Sequence, residues 1–184
     1  SSMNTKFFLF PFFIIMFLVL SGCERSPDIE STKYYDGNNF SFSYPGNWEI
    51  TDDYMIGNIH AIEIESPGAA LVIIQDWPKE EFGSLTLKEF VYIISSSAQE
   101  EVVIGSLSNG SFEDIQTSYS SGNIKGIREK FSITLLTESI PHIRDTYLRR
   151  SISNNVILMT QVATEDYKMV EPGFAHILNS LNFK

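Results

Sequence analysis

The chain has 184 residues, with 23 acidic against 13 basic side chains and a formal net charge of −10. That balance excludes nucleic acid as a partner, since such binders need a basic footprint. Hydrophobic residues make up 43% of the chain, enough for one domain with a sizeable core. The single cysteine, Cys23, excludes an internal disulfide, so in an oxidising compartment the fold stands on its core alone.

Ser1 and Ser2 precede Met3, the expected initiator, and are read as an addition to the natural chain. One cation, Lys6, then precedes a run from Phe7 to Leu20 that is almost wholly apolar, followed by the small pair Ser21 and Gly22. This is the layout of a secretory signal peptide. The run holds 14 residues and contains Pro11, whereas a bilayer-spanning helix needs roughly 20. Its end, "LSGC", resembles the lipobox of bacterial lipoproteins. The resemblance implies a diacylglyceryl group on the Cys23 thiol, cleavage before that residue, and a lipid anchor carrying palmitate-type chains. One acyl chain holds a protein to a membrane only marginally, and stable anchoring takes a second. The alternatives are an ordinary secretory peptide with a free or structural cysteine, or a catalytic thiol. The last lacks the positive setting that lowers a thiol pKa, because Glu24 follows directly.

Residues 1–22 are thus expected to be a lipoprotein signal peptide, 23–33 a lipid-anchored tether and 34–184 one folded domain. The tether, polar and containing Pro27, would reach up to about 30 Å at an extended rise of roughly 3.3 Å per residue. The implied location is the bacterial cell envelope, lipid-anchored and facing the periplasm or the exterior. Glu24 in place of aspartate after the cysteine hints at an outer membrane where one exists, and the choice of membrane stays open.

In "NFSFSYPGNWEI", Phe40, Phe42 and Tyr44 alternate with serines, the period of a half-buried strand. Pro45 to Asn47 read as a turn, with Trp48 and Ile50 resuming the alternation, so two short paired strands are expected. "HAIEIES" places Ile62 and Ile64 inward with Glu63 and Glu65 outward, and "AALVIIQDW" suits a central strand. "TLKE" from Thr86 fits a capping box with Glu89. Leu87, Phe90, Val91, Ile94 and Ala98 then form a helical stripe.

Between Phe112 and Ala163 several strands are joined by turns at "SSGN" and "SNN". Ile127, Phe131, Ile133 and Leu135 share one face of a long strand, opposite Arg128, Lys130, Ser132 and Thr134. "VILMTQVA" is a further strand. The final stripe of Tyr167, Val170, Phe174, Ile177, Leu178 and Leu181 is helical, and Pro172 predicts an irregular first turn with a regular helix from Pro172 to about Asn182.

The pattern "FSFSYPGNW", followed by antiparallel strands and the closing helix "FAHILNSL", resembles the Mog1/PsbP-like superfamily, whose broad group includes bacterial DcrB-like lipoproteins. The resemblance covers residues 34–184. It implies an α+β fold, an antiparallel sheet flanked by helices on both faces (an α/β/α sandwich). Members include a photosystem II extrinsic subunit and a nuclear-transport factor, so the scaffold names no activity.

No "HExxH", "GxSxG", P-loop or dinucleotide fingerprint is present, although triads assemble from distant residues. His60 reads as a strand-end or core residue. His142 lies near Asp145 but on the opposite strand face, and His176 lies beside the apolar face of the last helix. Convergence of all three on a metal is not expected, and no cofactor is implied. Paired acids such as Asp52 and Asp53, or Glu80 and Glu81, lack a calcium-loop pattern.

Residues 24–114 carry 17 acids and four bases, whereas 115–184 carry six acids and eight bases. This asymmetry reads as internal salt bridging ahead of a docking face. Lys125, Arg128, Lys130, Arg144, Arg149 and Arg150 form the candidate interaction patch, for an acidic partner or lipid head groups. The alternative is a sheet face laced with Glu129, Glu138 and Asp145. The expected function is a lipid-anchored, non-catalytic binding or scaffold module with an envelope protein as partner. A small-ligand or metal-binding lipoprotein is the alternative, then a hydrolase with a dispersed site.

Overall fold

A computed structural model describes residues 24–100, 106–108, 110–119 and 122–184. The expected signal peptide and Cys23 lie outside the described residues. Antiparallel sheet dominates. Strands β1 (Lys33–Asp36) and β2 (Phe40–Tyr44) form a small sheet with the C-terminal β11 (Asn182–Phe183). The large sheet holds β3 (Glu49–Ile56), β4 (Ile59–Glu65), β5 (Leu71–Pro78), β6 (Ser106–Leu107), β7 (Ser111–Tyr119), β8 (Gly122–Leu135), β9 (Glu138–Arg150) and β10 (Asn154–Ala163). Its order is β3-β4-β5-β10-β9-β8-β6, with β7 also pairing β8. Among the described residues the α-helices are few: α1 (Lys79–Phe82), α2 (Leu87–Glu100) and α3 (Tyr167–Ser180).

Alternation along β5 divides the core. Val72 and Ile74 pack with Trp48, the aromatics of β2, and Val170, Phe174 and Ile177 of α3. Leu71, Ile73 and Trp77 pack with Phe82 of α1 and Phe90 and Ile94 of α2. Strand β10, between β5 and β9, is apolar toward both clusters through Leu158 on one side and Ile157 and Met159 on the other. The capping box forms as expected: Thr86 N–H donates to Glu89 Oε2 at 2.8 Å and Glu89 N–H to Thr86 Oγ1 at 3.2 Å.

Several expectations need correction. Strands β2 and β3 do not pair; the turn sends them into different sheets. Glu63 does not point to water. It is buried and accepts the Tyr54 hydroxyl at 3.0 Å, and burial holds its carboxyl above the usual range. The last helix is regular from Tyr167 and passes through Pro172, the irregular turn being the 3₁₀ segment Thr164–Asp166 ahead of it. Packing of Val170 and Phe174 outweighs the backbone bond that proline forfeits. The helix also stops at Ser180, because the next residues add β11 to β2, with Asn182 opposite Ser41.

The segment expected to be a free tether is seated on the domain. Glu24 is buried in the β4–β5 connection, where its Oε2 accepts from Ser66 Oγ at 2.9 Å and Ala69 N–H at 3.2 Å. The Asp28 carbonyl accepts Gly46 N–H at 2.9 Å, and Asn47 holds the amide of Asp28 and the carbonyl of Ser26. Glycines make room for it: a Cβ on Gly46 would run into the Ser31 carbonyl, and one on Gly68 into the Glu24 carboxylate. Composition alone marks residues 24–33 as polar linker, but these backbone and carboxylate bonds give it a fixed path, and its last residue, Lys33, already opens β1.

Substituting Gly46→Ala should therefore unseat the segment without touching the core. Limited trypsin digestion is expected to cut after Arg25 and Lys33 faster in this variant than in the parent; equal rates would show that the segment is not held by this contact.

Candidate functional site

The six cations expected as a patch do not share one surface. Consecutive register pairs set Arg128 opposite Asp145 and Glu129 opposite Arg144, so the two ion pairs fall on opposite faces of the sheet. Arg144 is buried, with Nη1 3.0 Å from Glu129 Oε2, Nε 2.8 Å from Gln161 Oε1 and the guanidinium 4.6 Å from the Phe131 ring centroid. Ser95 of α2 donates to Glu129 Oε1 at 2.6 Å, which fastens the helix to the pair. Arg149 donates to the Leu181 carbonyl and lies over Phe183. Arg150 reaches Asn155 Oδ1 at 3.2 Å and the Leu85 carbonyl at 3.3 Å. Lys130 is exposed and paired with Glu113 at 2.9 Å, and Lys125 is exposed on β8 beside Gln116 of β7.

Arg128 instead belongs to a cleft of about 250 Å³ between α3 and strands β7, β8 and β9. Its Nε and Nη2 each donate to Asp145 at 2.7 Å, Nη2 also meets the Tyr167 hydroxyl at 2.5 Å, and the guanidinium stacks 4.6 Å from the Tyr167 ring centroid. The fork-on-carboxylate geometry keeps Arg128 charged despite partial burial, its pKa being raised chiefly by the Asp145 bonds. The Tyr167 phenol is pushed up to about 12, first by burial and then by Asp145. Tyr147 forms the floor, and burial pushes its phenol up as well. A Cβ on the neighbouring Gly126 would come within 2.7 Å of the Tyr147 ring, so glycine in mid-strand marks a close approach. Thr160, Glu171 and Phe174 complete the walls.

Both Asp145 oxygens are engaged, and Arg128 keeps two of its five N–H groups, both on Nη1, outside these bonds. Such a site can recognise shape and hydrogen-bond acceptors with little rearrangement. Apart from Arg128, the cleft escaped the sequence reading as a site. Tyr167 read only as core stripe, and Asp145 as a neighbour of His142 and as one acid of the alternative salt-bridged sheet face, which is the role it has with Arg128; the one further signal was Gly126 inside a strand pattern.

The histidines are dispersed. His60 Nε2 is 2.6 Å from Asp53 Oδ1 at the surface. His142 donates Nδ1–H to the Ile140 carbonyl at 2.9 Å and stacks on Phe131, on the face opposite Asp145 as expected, and burial lowers its pKa. His176 Nε2 lies 2.9 Å from Ser43 Oγ, while Ser180 Oγ brackets the Ser43 backbone at 2.9 and 3.0 Å, which clamps α3 to β2. Among the described residues no three His, Cys, Asp or Glu side chains gather as a metal-binding group, and no helix is long and apolar enough to cross a membrane.

Comparison with solved structures shows a PsbP-like fold. CyanoP, the cyanobacterial PsbP of Synechocystis sp. PCC 6803, superposes with a TM-score of 0.53 at 12% identity, over 85% of this chain and 94% of that one. LpqN of Mycobacterium tuberculosis, a protein involved in cell envelope biogenesis, gives 0.44 at 9% identity over 83% and 91%. Only the first is similar enough to speak for the fold, and at such identity it says nothing of the cleft. No protein-family model and no curated protein matches the chain.

Two outcomes are expected from this geometry. Arg144→Met leaves Glu129 buried without its counter-charge and should cost about 3–5 kcal/mol, whereas adding Glu129→Leu should recover much of the loss; urea unfolding of both variants checks it. For His142 the folded pKa is depressed below 6.5, so its contribution is full above that value and fades as pH falls and the unfolded imidazole alone takes a proton. Between about pH 7.5 and about 5.5, the urea midpoint of His142→Gln should therefore fall less than the parent's.

Proposed function

We propose that this chain is a lipid-anchored protein of the bacterial cell envelope whose PsbP-like domain acts as a non-catalytic binding module, with the α3 cleft as its recognition site. The resemblance of "LSGC" to a lipobox supports the anchor and the location, on the periplasmic or exterior side of a membrane. Core packing from both sides of β5 supports reading the domain, residues 34–184, as an α/β/α sandwich. The observation that carries the binding role is the Arg128–Asp145–Tyr167 network: its acid and base are locked to each other, so the cleft presents fixed walls and a few donors in place of a proton-transfer pair.

Size selects the kind of guest. At about 250 Å³ the cleft falls just below the roughly 300–1,000 Å³ of small-molecule pockets, which favours a single side chain of a partner protein over a free ligand. The cation group contributes little as a patch, since Arg128 and Arg144 are spent inside the fold; Lys125, beside β7, remains the member placed to meet an acidic partner.

Expression of the full chain in a bacterial host, with intact-mass analysis, should show cleavage before Cys23 and added acyl mass, both lost in Cys23→Ala. Crosslinking in the membrane should then yield a partner with the parent and lose it with Thr117→Trp, which fills the cleft from β7. An unchanged crosslinking pattern would remove the cleft from the reading, and an unacylated chain would remove the anchor.

A further inference from the structure

Register places three features at one end of the large sheet. Leu71, Gln161 and Arg144 lie side by side on β5, β10 and β9. Just past Leu71 is the β4–β5 connection, closed by the Ser66 N–H to Ala70 carbonyl bond at 3.0 Å, and in it sits Glu24. Beyond Arg144, β9 runs on for six more residues to Glu138, still paired with β8 as far as Leu135. At about 3.3 Å per residue this is roughly 20 Å, and the connection itself reaches roughly 10 Å past Leu71 to Gly68, which abuts Glu24, so the β8–β9 hairpin overshoots the Glu24 site by about 10 Å, some three strand spacings to its side.

The apex of that hairpin is Leu136. It is 96% exposed and has φ of 56°. A two-residue loop whose first central position has positive φ is where glycine is favoured, and a branched side chain there is strained. Neither solubility nor turn geometry accounts for leucine. Residues 134–141, "TLLTESIP", hold one ionisable group, Glu138, with Leu135, Leu136 and Ile140 beside it.

We infer that the β8–β9 hairpin is a membrane-contacting wedge, with Leu136 entering the interfacial layer of the bilayer that holds the Cys23 lipid. The inference rests on the anchor reading above. With Glu24 fixed to the domain, the lipid-bearing residue is one peptide unit from a rigid body, and the end of the sheet nearest to it faces the membrane. Each polar layer of a bilayer is about 5–8 Å deep, so a hairpin that overshoots by about 10 Å reaches the acyl boundary. The acids at this end, Glu24, Glu165 and Asp166, give anionic lipid no added attraction, and the contact is apolar.

The test uses the full chain, expressed in a bacterial host, purified from membranes and reconstituted into phosphatidylcholine vesicles containing acyl-brominated phosphatidylcholine. Trp48 and Trp77 are 0% and 3% exposed and supply a constant background. An indole introduced by Leu136→Trp, or by Thr137→Trp should the first variant fold poorly, is expected to lose emission to the bromines. One introduced by Ile152→Trp, at the opposite end of β9 where Ile152 is 94% exposed, is expected to keep it. Acylated Cys23 with no quenching at the hairpin overturns the wedge and leaves the anchor standing. Equal quenching at both ends overturns it too. A chain without acyl mass overturns the anchor reading, and the wedge with it.

Discussion

The pairing of β8 with β9 is the constraint on which the rest of the molecule depends, and charge order fixes it. Arg128 faces Asp145 and Glu129 faces Arg144 in consecutive positions, so one ion pair stands on each side of the sheet with opposite polarity. A slip of one residue in one direction would set Arg128 against Arg144; in the other it would set Glu129 against Asp145. Because the side-chain period is two, such a slip would also turn every apolar residue of β8 to the wrong face. Like charges opposed on a buried strand pair make the alternative registers costly. The arrangement is an instance of buried ion pairs serving specificity, where an apolar pair would serve stability as well or better.

Both helix positions follow from that register. On one side, Glu129 is placed where Ser95 of α2 can reach it. On the other, Asp145 and Arg128 are placed beneath Tyr167 at the start of α3, and Gly126 lets the Tyr147 ring come close against β8. The cleft is thus a by-product of the lock: its floor is the sheet, its rim is α3, and its polar atoms hold the wall in place. The cleft surface is already organised, so little ordering entropy would oppose the proposed guest.

Much of the fold was legible, and the gaps have physical causes. The alternation in "FSFSY" and the stripe from Leu87 to Ala98 became β2 and α2, since period marks an element's type, although β2 is not half-buried: Ser41 is covered as well as the aromatics. The end of β8 was not legible. "TLLTESI" carries no glycine, asparagine or proline at its bend, and Leu136 turns the chain from a conformation leucine rarely adopts. The docked segment 24–32 was missed for a different reason. Its composition is that of a linker, and what holds it is backbone bonding to a turn more than 15 residues away, which leaves no local signature. The cations misled because sequence shows clustering but not the face. Residues 128 and 144 are of equal parity, yet antiparallel pairing sends them to opposite sides.

The charge asymmetry of the chain now has a structural account. Internal salt bridging was the expected reason, and it operates, but mostly within the basic half: Arg128 with Asp145 and Arg144 with Glu129. Lys130 with Glu113 and Lys184 with Asp36 join the halves, and both pairs are exposed. The acids of the first half therefore stay largely in water, and their placement suggests a second use. Strand β3 is an edge of the large sheet, carries Glu49, Asp52 and Asp53, and breaks register between Ile50 and Asp52. Charge and a bulge on an edge discourage pairing with another chain's strand. An uncharged edge of that length would invite association. The acidic half guards the sheet from outside while the basic half fixes its register from within.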